Sequence, residues 1–149
     1  MATHIVVEAL IKRPREEVAA YATNPDNDTT WISGVAEANM LTEPPLDKGT
    51  QVQRIAHFLG RRIEYVLEVD QWSLGSLMAM RSVKGPFPME VTYQFEDAAE
   101  GTMARISVRG EASGFFKLAA PILAKGVEKN LIRDLTKLKR LLESGAGQG

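Results

Sequence analysis

Cysteine is absent from the 149 residues, which excludes disulfides, thiol nucleophiles and thiolate metal sites. Histidine is nearly absent too: His4 and His57 are the only two, so a histidine-rich metal site is not expected. No apolar run reaches the roughly 18 residues that a membrane-spanning helix needs. The N-terminus enters directly on a strand-like pattern, so no secretory leader is expected. A formal charge of −1 gives no bulk attraction to nucleic acid or to an anionic membrane. The expectation is a cytoplasmic protein with no metal, no cofactor, no nucleic-acid partner and no integral membrane association. With 44% hydrophobic and 25% charged residues, the composition is that of an ordinary globular chain. Its length suits one domain, expected over 1–144, followed by a Gly-rich flexible tail over 145–149.

One stretch, Phe115 to Ser144, keeps a helical period for several turns. Ala120, Ala124, Val127, Leu131, Leu135, Leu138 and Leu142 recur at steps of three or four and form one apolar stripe. Lys125, Lys129, Arg133, Lys137 and Arg140 fall opposite, which reads most simply as a solvated basic face. Upstream the chain alternates with a period of two. Ile5, Val7, Ala9 and Ile11 make one face of a first strand. Arg13-Pro14 stops it and opens a short helix, whose Glu16 and Glu17 suit the positive end of the helix dipole. Asn24-Pro25 ends that helix, and Asp26 or Asp28 is placed to cap one further turn ending at Trp31. Strands are then expected at Val35–Thr42, Gln51–Leu59, Arg62–Trp72, Leu77–Val83, from Met89 through Glu96, and around Ala104–Arg109. No face of the fifth strand decides itself, since Leu77, Ala79, Arg81 and Val83 compete with Met78, Met80 and Ser82.

The hairpin at Gly60 fixes faces by counting. A two-residue turn at Gly60-Arg61 sets His57 opposite Glu64 and Arg54 opposite Leu67, and moving the turn to Leu59-Gly60 leaves the two faces unchanged. Val52, Arg54, Ala56, Phe58, Ile63, Tyr65, Leu67 and Val69 then point inward. His57 goes outward and reads as a surface ion pair with Glu64.

A seven-stranded antiparallel sheet can bury one long helix only by curving around it, with two short helices after strand one closing an end. The strand-Pro-helix opening from Ile11 to Val18, Asn24-Pro25 through Trp31 to Gly34-Val35, Gly60-Arg61-Arg62 with Glu68-Val69, and Gly101-Thr102 carry a resemblance across nearly the whole chain. It resembles the START-like, birch-pollen-allergen-like superfamily, and within it the bacterial polyketide cyclase/dehydrase-like (SRPBCC) proteins. The resemblance implies an α+β helix-grip fold, a seven-stranded curved antiparallel sheet wrapped around the C-terminal helix, with a hydrophobic cavity between them. It does not fix the occupant.

Arg54 is the most informative polar residue, because an unpaired inward charge is costly. It reads as an anchor for a carboxylate, phosphate or carbonyl on an apolar ligand, or as a buried pair with a protein acid. Tyr65 and Tyr93 offer ring area and a hydroxyl each, and otherwise serve as core residues. Trp31 stands near the expected mouth, as part of a lid or as a cap on the core. Small residues around Ala120, Ala124 and Gly126 leave room beneath the helix, while Pro121 bends or begins it. The expected cavity residues are Trp31, Arg54, Phe58, Tyr65, Leu67, Met89, Tyr93, Ala120, Leu123, Ala124 and Val127, with no catalytic residue assigned. No acid or histidine is confidently aimed inward, so binding of a lipid, polyketide or aromatic compound ranks above a cyclase/dehydrase-type enzyme. A structural or dimerisation module, monomer or homodimer, is the remaining alternative.

Overall fold

The computed structural model describes residues 2–58, 60–86, 88–111 and 120–145, with side chains at all of these except 2, 3, 111 and 120–123. Phe115, Leu118 and the tail beyond Gly145 therefore lie outside the described residues, as do the side chains of Ala120, Pro121, Ile122 and Leu123. In chain order the elements are β1 (Ala2–Ile11), α1 (Arg15–Thr23), a 3-10 turn (Pro25–Asn27), α2 (Asp28–Trp31), β2 (Val35–Met40), β3 (Gln51–Phe58), β4 (Arg61–Ser73), β5 (Leu77–Lys84), β6 (Met89–Ala98), β7 (Gly101–Glu111) and α3 (Ala120–Glu143). The seven strands form one antiparallel sheet in the order β1-β7-β6-β5-β4-β3-β2. The sheet curls around α3 in the helix-grip arrangement.

Alternation in the sequence becomes alternation in burial. Ile5, Val7 and Ile11 of β1 are buried while Val6 is 49% exposed, and Val91, Tyr93 and Phe95 of β6 are buried. On β5 the inner face belongs to Met78 and Met80, at 3% and 2% exposure. Irregular pairing between β4 and β5 at Val66/Leu67 and Val69/Gln71 lets the strand run off the core, and Val83 turns out to solvent.

The β3–β4 pairing differs from the expected one by two residues. Arg54 faces Tyr65, Ala56 faces Ile63 and His57 faces Arg62, and the last pair before the turn is Phe58 with Arg61; Gly60 within that turn has a φ of 75° that favours glycine. A shift of two preserves the faces, so Val52, Arg54, Ala56, Tyr65, Leu67 and Val69 are all buried. It does correct the reading of His57. Glu64 accepts from Gln53 Nε2 at 2.6 Å, and no His57–Glu64 ion pair exists among the described residues.

The α3 stripe packs as its periodicity requires. Leu135, Leu138 and Leu142 are buried, and Lys125, Lys129, Arg133, Lys137 and Arg140 are exposed. The C-terminal end is also fastened by polar contacts to the end of β1 and the residue after it: Lys139 Nζ donates to the Leu10 carbonyl at 2.9 Å, and the Lys12 N–H donates to Glu143 Oε2 at 2.9 Å. Gly101, at the start of β7, has no room for a Cβ against the Ile11 carbonyl, which explains a glycine where the chain re-enters beside β1.

Candidate functional site

Between the sheet and the N-terminal half of α3 lies a cavity of about 160 Å³. Its size is close to that of cavities that hold a single aromatic ring, about 150 Å³. The walls come from every layer. Ala56 and Phe58 stand on β3, Ile63 and Tyr65 on β4, Met89, Val91 and Tyr93 on β6, Ile106 and Val108 on β7, and Val127 and Leu131 hang from α3. Strand alternation supplies this apolar lining, since these strand residues belong to the inner faces; His57, expected to point outward, is exposed yet also borders the space.

The polar end is built on Arg54. Its Nε donates to Asp28 Oδ2 at 2.9 Å, and its Nη2 donates to the Tyr93 hydroxyl at 3.3 Å. Arg54 is 5% exposed and Asp28 2%, so the bond joins two charges taken out of water. Such a pair is retained only when each partner offsets the other's desolvation. Burial pushes the Asp28 carboxyl up against the pull of Arg54. Desolvation also works against the Arg54 cation, but Asp28 and the neighbouring tyrosines outweigh it and hold the guanidinium charged. At neutral pH the pair is ionised, a guanidinium against a carboxylate in direct contact. Burial pushes the Tyr93 hydroxyl up to about 12, so it keeps its proton and, having accepted from Arg54, can still donate.

Trp31 closes this end. It is 1% exposed, and its ring lies 5.8 Å from that of Tyr93 at a tilt of 57°, a favourable edge-to-face range. Its Nε1 is buried without a hydrogen-bond partner among the described residues, a situation that ordinarily costs free energy.

A second acid reaches the cavity from above. Asp134 of α3 is 3% exposed and lines the space. Its Oδ1 accepts from the Ser33 N–H at 2.8 Å and from the Ser33 hydroxyl, which ties α3 to the segment after α2. Burial pushes the Asp134 carboxyl up from its usual 3.8, against the stabilising bonds from Ser33.

Of the residues expected around the cavity, Trp31, Arg54, Phe58, Tyr65, Met89, Tyr93 and Val127 stand on its lining. Leu67 and Ala124 do not: Leu67, at 0% exposure, is spent in the core. The side chains of Ala120 and Leu123 lie outside the described residues. Arg54 is indeed paired with a protein acid, and that acid is Asp28. Asp28 and Asp134 had no assigned inward role. Asp28 shares one face of a single helical turn with Trp31, three residues on, and Asp134 follows Val127 by one heptad and so sits on the edge of the apolar stripe. Among the described residues, no cluster of three or more acids and histidines could hold a metal ion.

A curled antiparallel sheet closed by a long C-terminal helix over an apolar cavity defines a protein of the helix-grip class. The chain belongs to the family described as polyketide cyclase / dehydrase and lipid transport, which it matches over residues 2–143. Solved structures agree on the fold. TTHA0849 from Thermus thermophilus is 19% identical over 97% of this chain and 99% of its own, with a TM-score of 0.80. The Zhui aromatase/cyclase from Streptomyces sp. R1128 is 15% identical, covering 96% and 94% with a TM-score of 0.80. A START superfamily protein from Mycobacterium smegmatis is 12% identical, covering 96% and 97% with a TM-score of 0.79. No curated protein matches the chain in sequence.

Proposed function

We infer that the protein binds a small, largely apolar molecule in the cavity beneath α3, with Arg54 and Tyr93 orienting it. The carrying observation is an apolar space of about 160 Å³ with one buried polar end. Affinity comes from removing ligand surface from water, at roughly 25 cal/mol per Å² before the costs of association, and the polar end supplies orientation. The family description, which includes lipid transport, supports this reading.

The test is native mass spectrometry of the purified protein, followed by melting curves against a panel of one-ring and two-ring aromatic compounds. A bound species, or a concentration-dependent rise in Tm, is the expected result. If nothing copurifies and Tm does not move for any compound, binding is ruled out as the function.

A second reading is favoured by Asp134. A cyclase or dehydratase needs a group that moves a proton beside its substrate, and a buried carboxyl with a raised pKa on the cavity lining is such a group. In that version the cavity holds a small ketone, Arg54 polarises its carbonyl, and Asp134 takes or returns a proton. Turnover that is lost in Asp134→Asn while binding persists would favour the enzyme over the carrier.

A further inference from the structure

We propose that the cavity selects neutral ligands bearing a hydrogen-bond acceptor, such as a ketone or quinone, and rejects carboxylates, because the charge of Arg54 is already spent on Asp28. This rests on the reading of the cavity as a binding site. A buried arginine beside an apolar pocket would ordinarily invite an anion. Here its Nε is committed to a carboxylate at 2.9 Å within the fold, and the pair together contributes no net charge.

The remaining charges of the lining point the same way. Arg54 is the one Lys or Arg among the described lining residues, and His57, which also borders the space, is solvent-exposed and counted neutral at pH 7, while Asp134 adds a second buried acid. Counting Asp28, two acids face one cation. A ligand carboxylate entering this space would be a third negative group without a compensating cation, which low-dielectric surroundings penalise heavily. A neutral acceptor meets no such penalty. It finds three donors grouped together: the uncommitted N–H groups of Arg54, the Tyr93 hydroxyl, and the Trp31 Nε1–H beside Tyr93 that lacks a partner among the described residues. Asp134 on the lining and Asp28 bonded to Arg54 are therefore what separates this pocket from a fatty-acid site of equal size.

The experiment uses three probes with nearly the same skeleton at neutral pH: butyrophenone, butylbenzene and 4-propylbenzoate. Kd is read by isothermal titration of the full chain. Butyrophenone is expected to bind more tightly than butylbenzene, and 4-propylbenzoate at least tenfold more weakly than butyrophenone. A smaller gap to the carboxylate, or a ketone no tighter than the hydrocarbon, overturns the proposal while leaving the cavity a binding site. If none of the three binds, the binding reading falls with it. Asp28→Asn and Asp134→Asn then test the cause, each expected to narrow the ketone-to-carboxylate gap at least threefold. Should Asp28→Asn fail to fold, Asp134→Asn carries the same test. An unchanged gap in every variant that folds also overturns the proposal.

Discussion

The two halves of α3 put one periodicity to different uses. From Leu135 onward the stripe is packed solid: Leu135, Leu138 and Leu142 are 2%, 1% and 0% exposed, and Lys139 and Glu143 fasten the end to Leu10 and Lys12. From Val127 to Asp134 the same stripe hangs over empty space, with Val127 and Leu131 half-buried on the cavity lining. A void is costly because its lining loses packing partners. A fold can keep one only if stability is concentrated elsewhere, and here it is concentrated one or two helical turns away. The difference assigns anchoring to the C-terminal half and leaves the N-terminal half to accommodate a guest.

The largest expected effect would show that the cavity region is not uniformly soft. Removing Asp28 leaves Arg54 buried and uncompensated, so Asp28→Ala should cost about 3–5 kcal/mol in urea unfolding. Replacing both partners together, Asp28→Leu with Arg54→Met, should recover most of that loss, since no buried charge is then left without its partner. A single substitution as cheap as the double one would mean that the ion pair contributes little to the fold.

The comparison along α3 is sharpened by two matched truncations. Leu138→Ala empties a site with no room to relax and should cost about 2–5 kcal/mol. Leu131→Ala borders space that is already empty and should cost nearer to about 1 kcal/mol, while enlarging the cavity enough to improve binding of a bulkier ligand. Equal costs at the two positions would erase the division between an anchoring half and an accommodating half.

These sites were unequally legible in the sequence. Faces of strands were readable because a period of two survives errors of two: the hairpin register was misplaced, yet Arg54 still points inward, and only cross-strand partners such as His57 and Arg62 changed. β5 gave no face because its pairing with β4 is irregular and its end leaves the core. Partners distant in the chain were not readable at all. Asp28 and Arg54 are 26 residues apart, and Ser33 and Asp134 are 101 apart. Each acid also had an adequate local explanation, as a helix cap or as part of a charged helix. What separates a cap from a buried partner is the curl of the sheet, which brings α2 over β3, and no local pattern encodes that.

The smallest effect concerns two carboxylates on α3 whose shifts have opposite signs. Burial raises the Asp134 carboxyl, so between its usual 3.8 and its folded value the native protein holds a proton that the unfolded chain has released. Stability from this group is present at low pH and is lost as pH rises through that window. Glu143 is lowered by the Lys139 side chain and the Lys12 N–H. Its contribution is present above its usual 4.5 and is lost as pH falls toward its folded value. Unfolding free energies of Asp134→Asn and Glu143→Gln, each referred to the unsubstituted protein from about pH 4 to 7, should therefore diverge. Asp134→Asn should gain relative stability as pH rises, because its amide can still accept both Ser33 bonds without a buried charge. Glu143→Gln should lose relative stability over the same range. The raised Asp28 titration is common to all three proteins and cancels in both differences. If the two curves run parallel, the bonds from Ser33 fully offset the burial of Asp134, and the cavity half of the helix is electrostatically as well satisfied as the anchored half.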